Sequence, residues 1–157
     1  MADLCPSETV TSAVYPVTRR VMWTARVRRA GREPAAGRPP MLFVVMDESC
    51  LHQQVGGPEV MDAQLQRLEE MAGLPNWIIQ VAPFSLGARR AFYLPVNLLT
   101  LADRSIVAYA ESQAQGHVER ETSLVVPLLT SYHQFQSEAL SKAASVAKIS
   151  QLRKGTP

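Results

Sequence analysis

The chain has 157 residues, 46% of them hydrophobic and 19% charged, with a formal net charge of +2. That balance suits one globular domain with a core of its own and excludes a disordered chain. The apolar runs Leu42–Met46 and Leu124–Leu129 are too short for a membrane helix, Met1–Leu4 does not open a secretion signal, and Cys5 and Cys50 lack metal-ligand spacing, so the expectation is a cytoplasmic protein with reduced thiols and no membrane contact.

Residues 1–16 are interrupted by Pro6 and Pro16 and read as an irregular arm ahead of a single domain spanning 17–153. Thr18 can cap a helix to about Arg29, with Val21, Ala25 and Val27 toward the body. The segment from Thr18 to Arg38 holds seven arginines against one acid, Glu33, a local charge of +6, while the rest of the chain carries −4. Such a block is first a solvated helix face. It holds one aromatic, Trp23, and no recognised reading motif, which disfavours nucleic acid as a partner.

Gly31, Pro34, Gly37, Pro39 and Pro40 make a non-helical linker. Met41–Met46 (MLFVVM) follows as a strand buried on both faces. A short helical turn is expected through Leu51 to Gln54, and Gly56-Gly57 breaks it. Pro58 opens a helix with Met61, Leu65, Leu68 and Ala72 on one stripe, closed by Gly73 and Pro75. Trp77–Val81 (WIIQV) reads as the next strand, and Ser85–Arg90 as a turn-rich loop. Val96–Leu101 and Ser105–Ala110 form a hairpin around Ala102-Asp103-Arg104. A helix is expected from near Pro127 to about Ala139, then one capped by Ser141, then a frayed tail over 154–157. The fold class is α/β (α+β): one mixed sheet of about four to five strands against three to four helices.

The stretch Leu42–Phe84 carries a family likeness. It combines a buried strand ending in Asp47-Glu48, then Leu51, Val55-Gly56-Gly57, Val60-Met61, Gln64-Leu65, Leu68, Pro75-Asn76, Gln80-Val81 and Pro83-Phe84. With Tyr109, Glu111, Tyr132, Phe135, Ala139-Leu140-Ser141 and Ser145, these residues resemble the domain of unknown function that follows the helix-turn-helix in actinobacterial WhiJ-like, antitoxin-like regulators. The likeness runs over roughly residues 17 to 152, with Arg26, Arg29 and Pro39-Pro40 fitting the helix and linker before the first strand. It implies the sensing or partner-binding half of a regulator, often encoded beside a small partner protein. It supplies no catalytic residues. The chain as given leaves no room for the family's DNA-reading domain, so a domain standing apart from that reader is expected.

Asp47-Glu48 stands where a buried strand meets a loop, the place where α/β sheets tend to bind ligands. A carboxylate there could serve as acid or base; equally, Asp47 or Ser49 could cap the following turn. Tyr109 and Glu111 fall on one face of their strand by period two, where a buried pair would need a partner such as Arg26 or Arg29. Were the protein an enzyme, Glu48, Tyr109 and Glu111 would be the catalytic residues. Trp77, Phe84, Phe92 and Tyr93, with Arg89 and Arg90 at the mouth and Arg26 nearby, are the expected ligand-binding set. His52, His117 and His133 show no metal-ligand spacing, and no metal or cofactor is expected. Cys50 reads as a small buried thiol.

The leading expectation is thus a stand-alone domain that binds a small-molecule ligand or a small partner protein, with a homodimer as a further option. The alternative is a small cofactor-independent cyclase or isomerase of specialised metabolism, reusing the same pocket.

Overall fold

The computed structural model describes residues 9–13, 40–92, 94–101, 103–111 and 115–155, with 9–13 and Glu111 described by backbone alone. The expected helix from Thr18 to Arg29 lies outside the described residues, as does all of the expected linker before Pro40. The described chain forms β1 (Thr9–Ala13), β2 (Met41–Asp47), α1 (Ser49–His52), α2 (Pro58–Ala72) and β3 (Trp77–Ala82). It continues through 3-10 turns over Phe84–Arg89, then β4 (Val96–Thr100), β5 (Ile106–Glu111), β6 (Gly116–Glu119), α3 (Thr122–Glu138) and α4 (Lys142–Lys154).

The strands make one mixed sheet in the order β3-β2-β1-β4-β5-β6. MLFVVM and WIIQV lie side by side as parallel strands, Val44 opposite Ile79. β1 runs parallel to β2 on one side and antiparallel to β4 on the other. The hairpin β4–β5 forms as its sequence predicts, and β6 adds to it antiparallel.

Both faces of β2 are covered, which is why its sequence shows no polar alternation. Leu42, Val44 and Met46 join Trp77, Ile79 and Val81 against Met61, Leu65, Leu68, Met71 and Ala72 of α2 and Ile149 of α4. On the opposite face Val45 joins Ala82, Val96, Leu98 and Ala108 against Val125, Tyr132 and Phe135 of α3. The result is helix, sheet and helix in three layers. Pro58 opens α2 as expected, since its missing N–H falls among donors with no partner inside the helix. Ser141 caps α4 by accepting the Ala144 amide at 3.2 Å. The seam between α2 and α4 is polar at its rim, where Arg153 reaches Asp62 and Glu69 at 2.9 Å each and Ser150 donates to Glu69.

Four expectations are corrected. Residues 9–13, assigned to an irregular arm, form a central strand; TVTSA offers no apolar alternation, and its partners lie far away in sequence. β6 was not foreseen, because GHVE holds one apolar residue. α3 begins at Thr122, ahead of Pro127, since buried Val125 anchors a first turn in which Leu124 and Val125 both donate to the Glu121 carbonyl. Pro127 then removes only one bond from a long helix. Lys154, placed in the frayed tail, closes α4 instead.

The two outer strands are finished differently. Along β3, Leu140 donates to the Val81 carbonyl at 2.9 Å and the Val81 amide donates to Ser145 Oγ at 2.9 Å. Gln80 Nε2 donates to the Leu140 carbonyl at 3.0 Å, and Gln136 Nε2 donates to Gln80 Oε1 at 3.0 Å. The α3–α4 junction therefore seals that edge, with Ser145 fully buried inside it. Along β6, Gly116, His117 and Val118 are exposed and nothing among the described residues pairs with its outer side.

Candidate functional site

The carboxyl ends of the parallel strands β2 and β3 bring a charged cluster together. Glu48 follows β2 directly, and its amide extends the ladder by donating to the Ala82 carbonyl at 2.9 Å. Its side chain turns inward and is 6% exposed. There Oε2 accepts the Phe84 amide at 2.7 Å, and Oε1 meets Lys148 Nζ of α4 at 2.6 Å and His52 Nε2 of α1 at 3.4 Å. One carboxylate thus ties together α1, the turn after β3, and α4.

Burial is the strongest single influence on Glu48 and acts to raise its pKa. The Lys148 ammonium, the Phe84 amide and His52 together outweigh it, so the carboxyl sits below its ordinary value. Such a group is an ion held in place. It is poorly matched to giving or taking a proton near neutrality, where a catalytic acid or base needs a raised pKa and a free lone pair.

Asp47 does two things. Its Oδ1 accepts the Ser49 amide at 2.9 Å, starting α1, and its Oδ2 lies 2.7 Å from Arg90 Nε. Arg90 Nη2 is buried with no hydrogen-bond partner among the described residues. The guanidinium instead stands 5.7 Å from the centre of the Phe84 ring, and His52 flanks that ring at 5.4 Å. Phe84 itself is 49% exposed, an aromatic ring between two basic side chains at the sheet's carboxyl edge.

The sequence-selected residues thus divide. Glu48, Phe84 and Arg90 meet in one cluster. Arg89 points away and pairs with Glu138 at 2.9 Å on the surface. Trp77 lies at the opposite end of β3, buried against α2, and its carbonyl accepts from Lys142 Nζ at 2.9 Å. Phe92 turns into the core and meets Phe135 edge-on at 6.1 Å. These placements correct the expectation that Trp77, Phe84, Arg89 and Phe92 line one pocket: a large ring with apolar core on offer is buried wherever the backbone lets it reach. Tyr93, Arg26 and the side chain of Glu111 lie outside the described residues.

Tyr109 belongs elsewhere. β5 stands three strands from β2, about 14 Å across the sheet at the usual strand spacing. Tyr109 lies opposite Val118, with its ring over Gly116, where a Cβ would come within 2.9 Å of Cζ. Glu48 and Tyr109 therefore do not share a site. Sequence reasoning missed Lys148 and His52 as partners of Glu48. The one available signal was Lys148 on the body-facing side of its helix.

Cys50 is half-buried, and burial above all pushes its thiol up to about 11, so it is a weak nucleophile at neutral pH. Among the described residues no group of three or more His, Cys, Asp or Glu side chains is placed to hold a metal ion. No helix among them is long and apolar enough to cross a membrane.

A family model described as a domain of unknown function (DUF5753) matches residues 8–151. No curated protein and no solved structure matches the chain.

Proposed function

The chain belongs to the DUF5753 family of domains of unknown function, and from that premise we propose that it is a cytoplasmic binding domain of regulatory type, akin to the sensing half of WhiJ-like regulators. The observation that carries this reading is Phe84: a half-exposed ring at the carboxyl ends of two parallel strands, flanked by His52 and Arg90. Ligands of α/β sheets favour that edge. Glu48 supports the ring from beneath by holding the Phe84 amide, and its own lone pairs are spent on fixed partners. An exposed aromatic with a guanidinium beside it suits a planar anionic ligand or a small partner protein, since aromatic and arginine side chains dominate recognition surfaces. The alternative, a cyclase or isomerase acting through Glu48, Tyr109 and Glu111, has weaker support. Its first acid or base is held ionised, and Tyr109 lies three strands away.

Isothermal titration tests the reading, with the product of any small gene that adjoins this one and, separately, with a panel of aromatic carboxylic acids. Saturable binding is expected in one of the two, weakened at least about tenfold by Phe84→Ala, with the thermal melt unchanged. Absence of saturation in both, or wild-type binding by both Phe84→Ala and Arg90→Ala, would overturn it.

A further inference from the structure

The unsealed edge of the sheet carries an inference independent of the Phe84 surface. Of the seven large hydrophobic side chains left exposed among the described residues, three fall within nine positions of one another: Val118 at 52%, Leu124 at 55% and Val126 at 48%. Val118 is on β6, and Leu124 and Val126 are on the first turns of α3, which starts three residues after that strand. α3 sets out from β6 and crosses the sheet to β3, where Leu140 meets Val81. α3 therefore starts beside this edge on one face of the sheet, while Val118, opposite Tyr109, lies on the other. Exposed apolar side chains beside a strand whose outer side no described residue pairs are what natural sheets ordinarily avoid.

The sequence of the edge says what covers it. In GHVE, His117 and Glu119 share one face of the strand, with His117 Nε2 3.4 Å from Glu119 Oε2. The Glu119 carboxylate also accepts the Arg120 and Glu121 amides at 2.8 Å each, which holds it ionised. An antiparallel copy of this strand centred on Val118 sets Val118 against Val118, and sets His117 against Glu119 twice. The segment is its own complement.

We propose that β6 is the seat of a two-fold homodimer, in which the β6 strands of two copies pair antiparallel about Val118 and extend the sheet across both molecules. The two-fold axis stands perpendicular to the sheet, so the faces stay in line. The starts of the two α3 helices then lie on the same face beside the junction. A four-residue edge with Val118 at its centre makes a small interface, so the dimer is weak and its population depends on concentration.

Sedimentation equilibrium from about 5 µM to about 1 mM reads this directly. The expected result is a monomer–dimer equilibrium, with amide exchange at Gly116–Glu119 slowing as the dimer fills. His117→Glu places like charges opposite each other twice and should weaken association at least about tenfold. His117→Lys keeps the opposite pairing and should leave association close to that of the parent chain. Val118→Lys should give a monomer with an unaltered circular dichroism melt, because the side chain is exposed. A monomer at every concentration overturns the proposal. So does a dimer indifferent to both His117→Glu and Val118→Lys, which would form through another surface.

Discussion

The sheet has two outer strands, and the chain treats them in opposite ways. β3 is closed by a helix junction that returns both a donor and an acceptor to Val81, and a fully buried serine completes the closure. Along β6 no described residue pairs with the outer side, and Gly116, His117 and Val118 are exposed. The sealed side also holds the charged cluster. Lys148 reaches Glu48 from α4, the helix whose Ser145 stops the β3 edge, so one helix does both jobs. The difference teaches that edge protection and site construction are the same event on one flank, while no described residue protects the other.

The largest expected effect separates the two flanks by stability. Glu48→Ala leaves Lys148 without its carboxylate and the Phe84 amide without an acceptor, and should cost about 2–3 kcal/mol by urea unfolding at pH 7, since Lys148 keeps part of its hydration. The pH dependence has a definite sign. The native pKa is depressed, so the contribution is complete above the ordinary value of 4.5 and is lost as pH falls through the lower native value. The gap in unfolding midpoint between the parent chain and Glu48→Ala should therefore narrow toward acid pH. A gap that stays constant down to pH 2 would break the account.

A middle-sized effect probes the seal. Ser145→Ala orphans the buried Val81 amide and should cost about 1–3 kcal/mol, with faster amide exchange confined to β3 and the start of α4. An exchange change spread evenly over the sheet would mean that Ser145 does not act at the edge.

The smallest effect lies on the open side. Gly116→Ala should push the Tyr109 ring off its strand and cost about 1 kcal/mol, seen as shifted Tyr109 ring resonances. Unchanged resonances would show that the close approach of ring and glycine does not hold in solution.

What the sequence disclosed followed the strength of local pattern. The β2–α2–β3 unit was legible because MLFVVM is a continuous apolar run and because Met61, Leu65, Leu68 and Ala72 repeat at helical spacing after a proline. β1 and β6 escaped notice because TVTSA and GHVE owe their strand form to neighbours and carry little pattern of their own. The site was half legible. Glu48 stood out at a strand end, and Phe84 and Arg90 in an arginine-bearing loop. Lys148 joins them across a gap of one hundred residues from Glu48, a contact no local window contains. Trp77 and Phe92 are large rings that the core takes up, so size alone does not mark a ligand site.

The position of β1 has a consequence for how the molecule assembles. Thr9 faces Met41 on one side and Thr100 on the other, so five residues near the start of the chain join the parallel half of the sheet to the antiparallel half. During synthesis that segment must wait, unpaired on one flank, until the hairpin has emerged, and its docking closes the longest loops in the sheet. Removing those five residues would leave two half-sheets with newly bared inner edges.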